Sequence, residues 1–120
     1  ISDLNLTAIF SLIPIAQKLE GIHEIAPDWY DSSWFGSFFQ NEGGWAYQME
    51  FGWIFPLVQN SENIWFWCEE LGWIWANLGT FSQKFLWIQE DENWIYWDNT
   101  NPATIRYFNY STVEWIQWQR

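Results

Sequence analysis

Aromatic and other side chains alternate in short runs along most of the chain. Trp65-Phe66-Trp67 and Trp73-Ile74-Trp75 flank the more polar stretch Cys68-Glu69-Glu70-Leu71-Gly72. A period of two, broken by a short turn containing Gly, predicts a β-hairpin rather than a helix. Successive side chains of a strand point to opposite faces, so Trp65, Trp67, Trp73 and Trp75 share one face, with Phe66 and Ile74 on the other.

The unit recurs along the chain. Trp45-Ala46-Tyr47 and Trp53-Ile54-Phe55, joined by residues 48–52, form a first copy. Phe85-Leu86-Trp87 and Trp94-Ile95-Tyr96, joined by 88–93, form a third, and Ile105-Arg106-Tyr107 with Trp115-Ile116-Gln117 a degraded fourth. Strands are expected to start at 45, 53, 65, 73, 85, 94, 105 and 115, so that each hairpin restarts after 20 or 21 residues, a period that marks a repeat array. A lone hairpin cannot cover its own rings, whereas adjacent hairpins extending one sheet can cover each other's. The expected fold is all-β: an array of about four antiparallel β-hairpins of 20–21 residues behind a short, partly helical N-terminal lead-in.

Residues 1–27 form that lead-in. Asp3 can cap a short helix with Leu4, Ala8, Leu12 and Leu19 on one face, kinked at Pro14; Ile9-Phe10 and Ile13 to Ile15 suit an extended segment instead. Gly21 and the Ala26-Pro27-Asp28 turn separate it from the repeat domain, residues 28–120. That domain opens with a strand expected over Ser33 to Phe39, in which Gly36 lets another backbone or a ring come close. Longer connections are expected at Pro56 to Ile64, Ala76 to Lys84 and Trp97 to Thr104, which carry the loop-forming Pro56, Asn60, Asn77, Gly79, Asn99, Asn101 and Pro102.

Composition narrows the partners. The 120 residues suit one domain and include 13 Trp, 10 Phe and 5 Tyr, with four basic residues against fifteen acidic ones. A net charge of −11 repels phosphate backbones, so no nucleic acid is expected despite the rings available for stacking. The same charge argues against an anionic membrane surface and keeps an aromatic sheet soluble. No apolar run reaches the length of a membrane span, and Ala8 to Ala16 lacks the basic flank and cleavage site of a signal peptide. The chain starts with Ile, as a processed chain or a piece of a longer one would.

The search for reactive chemistry finds little. His23 is the single histidine and lies outside the array, where it reads as a surface or packed residue, and nucleophilic catalysis needs a base beside its nucleophile. One His and one Cys exclude a metal cluster of those residues. No carboxylate pair is nominated for glycoside hydrolysis, and glycine-rich phosphate motifs are absent. Neither an enzyme nor a cofactor is expected. Cys68 forms no internal disulfide and reads as a packed or partly exposed thiol, or as an intermolecular bridge. Each short turn carries acid: Glu50; Glu69 and Glu70; Glu90, Asp91 and Glu92; Glu114. Stacked in register they form a line of carboxylates, either a solvated edge that discourages pairing or a cation-bridged contact, although no spacing matches a calcium loop.

What remains is the aromatic face: Trp45, Tyr47, Trp53, Trp65, Trp67, Trp73, Trp75, Trp87, Trp94 and Tyr96. These rings are either the core of the repeat fold or a surface for sugars or other protein subunits. Thin two-stranded units carry more rings than they can readily bury, and an exposed aromatic patch marks binding or assembly.

Asp28-Trp29-Tyr30, Ser33-Trp34-Phe35-Gly36 with Phe38-Phe39, Gly44-Trp45-Ala46-Tyr47, Phe51-Gly52-Trp53-Ile54-Phe55, Trp65-Phe66-Trp67 and Leu71-Gly72-Trp73-Ile74-Trp75 resemble an aromatic-rich tail module near the C-terminus of many secreted proteins of verrucomicrobia and related bacteria. The resemblance covers roughly residues 28 to 118. It implies an extracellular or cell-surface setting and transfers no functional residues. A weaker likeness is to choline-binding and glucan-binding cell-wall repeats; the different order of elements, the fewer glycines and the scarce Lys depart from them. The expected function is a non-catalytic surface module that anchors or self-assembles through its aromatic face, with itself or other surface proteins as partners. The alternative is a carbohydrate-binding module in which Trp67, Trp75 and Trp87 stack on glycan.

Overall fold

The alternating runs form strands. The computed structural model describes residues 19–40 and 43–120, so the expected helical or extended stretch before Leu19 lies outside the described residues. The strands are β1 (His23–Ala26), β2 (Trp29–Ser32), β3 (Gly36–Gln40), β4 (Ala46–Gln48), β5 (Gly52–Asn60), β6 (Asn63–Cys68), β7 (Gly72–Asn77), β8 (Phe85–Ile88), β9 (Asn93–Asp98), β10 (Arg106–Asn109) and β11 (Glu114–Gln117). Among the described residues one short helix, α1 (Leu78–Ser82), interrupts them. The strands make one open sheet in sequence order, each antiparallel to the next.

Four hairpins, β4/β5, β6/β7, β8/β9 and β10/β11, form the all-β array that the period indicates. Their second strands start at 52, 72, 93 and 114. The sheet also extends upstream: β1 lies inside the stretch read as lead-in and pairs with β2 across Pro27-Asp28.

The alternation sorts side chains by size. Ala46, Ile54, Ile64, Phe66, Ile74, Ala76, Leu86, Ile88 and Ile95 are buried on the inner face, while the Trp positions between them stay partly exposed on the outer face. Branched aliphatic side chains pack densely on a pleated surface, which leaves the bulkier indoles outside. Trp97 and Trp118 are the exceptions and are buried.

Three expectations are corrected. The strand expected over Ser33 to Phe39 breaks at Ser33-Trp34-Phe35, where the chain turns from β2 into β3. The connection expected at Pro56 to Ile64 is mostly strand. β5 pairs with β4 up to Ile54 and with β6 from Phe55, so Pro56 sits in the half of β5 with one registered neighbour and its missing N–H leaves no ladder position empty. The connection expected at Ala76 to Lys84 holds α1, whose start is fixed by Asn77 Oδ1 accepting from Gly79 N at 2.8 Å and by Thr80 Oγ1 accepting from Asn77 N at 3.2 Å.

The turns at one end of the sheet share a construction. Loops Ser33-Trp34-Phe35, Met49-Glu50-Phe51 and Glu69-Glu70-Leu71 separate the paired residues Ser32/Gly36, Gln48/Gly52 and Cys68/Gly72. Each closing residue has positive φ, 85° at Gly52 and 76° at Gly72; Glu92 and Val113 occupy the same left-handed region just before β9 and β11. The third loop residue is apolar, and Phe35 and Phe51 fold onto the inner face against Phe66, at 5.6 and 4.8 Å between ring centres.

The residue that opens each loop caps it. Ser32 Oγ accepts from Phe35 N at 2.5 Å, Gln48 Oε1 from Glu50 N and Phe51 N at 2.6 and 2.8 Å, and Asn109 Oδ1 from Ser111 N at 2.8 Å. Cys68 holds the same position, with its sulfur beside the N–H groups of Leu71, Glu70 and Gly72 and its thiol pushed up by burial. The open reading of Cys68 is thereby resolved as a packed thiol. Cys68→Val keeps the apolar bulk but removes the acceptor, and is expected to cost about 1–3 kcal/mol. Cys68→Ser should cost less, as compared by urea denaturation; the reverse order would show that the sulfur serves as bulk alone.

Candidate binding face

Register lines the outer rings up across strands. Trp29, Phe39, Tyr47 and Trp53 are successive partners from β2 to β5. Phe55, Trp67 and Trp73 follow from β5 to β7. Leu57, Trp65, Trp75, Trp87 and Trp94 run from β5 to β9, and Phe85, Tyr96, Phe108 and Trp115 from β8 to β11. Trp45 precedes β4 and touches Phe55 and Trp67 at 5.4 and 6.0 Å. The ten residues expected on one face therefore meet there.

Sequence reasoning missed Trp29, Phe39, Phe108 and Trp115 on that face. The fourth copy is offset by one: Arg106 and Phe108 face outward, and Ile105 and Tyr107 are buried. The signal lay in Phe108, which restores the aromatic alternation when the strand is read one residue later.

The rings brace one another edge to face. Trp87 meets Trp94 at 5.4 Å and 71°, Tyr47 meets Trp53 at 5.4 Å and 77°, and Trp45 meets Trp67 at 80°. This is the arrangement that ring quadrupoles favour. It yields a ridged surface rather than a strip of coplanar rings. Trp45, Trp53, Trp94 and Trp115 stand highest, 40, 54, 36 and 47 % exposed, while Trp67, Trp75 and Trp87 are half-buried. A shallow hollow of about 460 Å³ lies beside Trp94, with Phe85, Tyr110, Thr80 and Asn93 lining it.

The acidic turns gather at one end of the meander. Glu69, Glu70, Glu90, Asp91, Glu92 and Glu114 are exposed there. Burial, then the charges of Glu70 and Asp91, push the Tyr107 phenol up. Glu50 departs from the expected edge. Its Oε1 accepts from Trp97 Nε1 at 2.7 Å and Asn99 Nδ2 at 3.0 Å, which turns the carboxylate inward and ties the first loop to β9. Among the described residues no group of three His, Cys, Asp or Glu converges on a metal position, and no helix is long and apolar enough to cross a membrane. His23 is exposed on β1, its Nδ1 3.3 Å from Gly21 O.

No family model, curated protein or solved structure matches the chain.

Proposed function

We propose that the protein is a non-catalytic module that anchors or assembles proteins at an extracellular bacterial surface through its outer aromatic face. The observation that carries this reading is a set of four staggered rows of registered side chains, nearly all of them rings, which together reach from β2 to β11 and from which Trp45, Trp53 and Trp94 project. Edge-to-face packing makes that surface corrugated, and a corrugated apolar face is matched best by another such face. The hollow beside Trp94 gives a projecting ring a place to enter. The extracellular setting rests on the likeness of the Leu-Gly-Trp repeats to the secreted tail module.

Glycan stacking by Trp67, Trp75 and Trp87 is the second reading. Their half-burial and the tilted ring planes favour it less, because a sugar chain stacks best on exposed, coplanar rings.

Sedimentation tests the first reading. The wild-type mass is expected to rise with protein concentration, and to rise further with ionic strength, because salt screens the repulsion between chains of charge −11. Trp45→Ser/Trp53→Ser/Trp94→Ser should remain monomeric while retaining a cooperative urea transition. A wild-type chain that stays strictly monomeric at high concentration and high salt would overturn self-assembly.

A further inference from the structure

Where β9, β10 and β11 meet the loop of residues 99–105, a groove of about 490 Å³ combines one indole with several polar side chains. The indole belongs to Trp115. The Arg106 guanidinium carbon lies 4.2 Å from its ring centre, covering one face. Phe108 and Tyr96 meet the ring at 67° and 87°, 5.4 and 6.3 Å away, and fix its tilt. Nearly half of Trp115 nevertheless remains exposed, so Arg106 and the two rings hold it as a supported plate.

The polar side chains are also held in place. Asp98 Oδ2 accepts from Arg106 Nε at 3.0 Å and Oδ1 from Thr100 N at 3.1 Å. Hydrogen bonds from Thr100 and then from Arg106 keep this carboxyl ionised down to a pKa of about 2. The ion pair uses Nε of Arg106, and its two terminal nitrogens remain donors for a ligand. Asn101, Thr104, Ile116 and Gln117 complete the lining.

We propose that this groove is a subsite for a neutral pyranose-containing glycan, with one sugar stacking its C–H face on the side of Trp115 that Arg106 leaves open and Asp98, Asn101, Arg106 and Gln117 bonding hydroxyls of the neighbouring sugar of the chain. A pyranose ring has an apolar face and a rim of hydroxyl groups, and so needs one flat ring beside planar polar groups. The hollow beside Trp94 offers rings with little polar surface; this groove offers both. The charges of Arg106 and Asp98 balance locally while the chain as a whole carries −11, which disfavours an anionic glycan. The subsite shares Trp115 with the outer face but uses none of Trp45, Trp53 and Trp94, so Trp45→Ser/Trp53→Ser/Trp94→Ser can lose association and still bind sugar, and an associating chain can fail to bind it.

The test follows the tryptophan indole N–H signals by NMR while the full chain is titrated with cellohexaose, maltohexaose, laminarihexaose and mannohexaose. Trp115→Phe identifies the Trp115 signal. At least one hexaose is expected to shift that signal saturably, and its affinity, read by titration calorimetry so that wild type and variants are compared alike, is expected to be at least about tenfold weaker in Trp115→Ala and in Gln117→Ala. Gln117 is exposed, so its truncation keeps the test valid should Trp115→Ala fold poorly. The proposal is overturned if none of the four sugars shifts the signal or if binding survives both substitutions. It is likewise overturned if Trp53→Ala abolishes binding and Trp115→Ala does not, or if an oligogalacturonide binds as well as the neutral sugars.

Discussion

Phe51→Ala is expected to lower the free energy of unfolding by about 3–5 kcal/mol, the range for removing a buried aromatic ring. Phe51 is the third residue of the β4/β5 loop, yet it is buried at the centre of the aromatic core. Its ring lies 4.6 Å from Trp97, 4.8 Å from Phe66, 6.0 Å from Phe35 and 6.3 Å from Trp118. These partners come from loop, strand and C-terminal segment alike, so no single neighbour can move in to fill the space. Urea denaturation should show a lower midpoint at an unchanged slope. Trp53→Ala, two residues along but on the outer face and 54 % exposed, should cost less than about 1 kcal/mol. Equal losses at the two positions would mean that the loop does not close over the core.

Trp118→Ala is expected to cost a similar 3–5 kcal/mol. Trp118 follows β11 and turns inward, where its ring packs at 5.1 Å from Trp97 and 6.1 Å from Tyr107. Its Nε1 donates to Phe51 O at 3.0 Å, and its backbone N to Ile105 O at 2.8 Å. The same loop is held from outside by Arg120, which donates to Glu50 O and, at 2.6 Å, to Pro102 O. Phe51 and Trp118 share partners, so the double variant should fall short of the summed losses by about 1 kcal/mol or more. Strict additivity would place the two rings in separate clusters.

Much of the sheet was legible because aromatic residues alternate at a fixed period and Gly closes the turns. Trp65, Trp67, Trp73 and Trp75 lie on one face with Phe66 and Ile74 opposite, as the alternation dictates. Which of the two faces is buried was not legible, since both carry apolar residues; packing density selects the aliphatic one. Ser33 to Phe39 misled because Trp34 and Phe35 continue the apolar run through a turn. Phe35-Gly36 repeats the apolar-Gly pair of Phe51-Gly52 and Leu71-Gly72; Phe35 and Phe51 are buried, and Leu71 packs partly buried against the same core. Glu50 resembled the other turn acids because its partners, Trp97 and Asn99, are remote in sequence. The ion pair of Asp98 with Arg106 was hidden because the two meet across the β9/β10 pairing, between the third and fourth hairpins, and the fourth copy was read one residue early.

The strand order carries a consequence for how the native state forms and is lost. Every strand is bonded to its neighbours in sequence, so each pairing closes a short loop and can form early and fast. The contact between Trp118 and Phe51 spans 67 residues and can form only after most of the meander is in place. Interactions made after the folding barrier govern the rate of unfolding rather than that of folding. The lifetime of the folded chain is therefore set where its two distant parts meet, while its speed of folding is set by the hairpins.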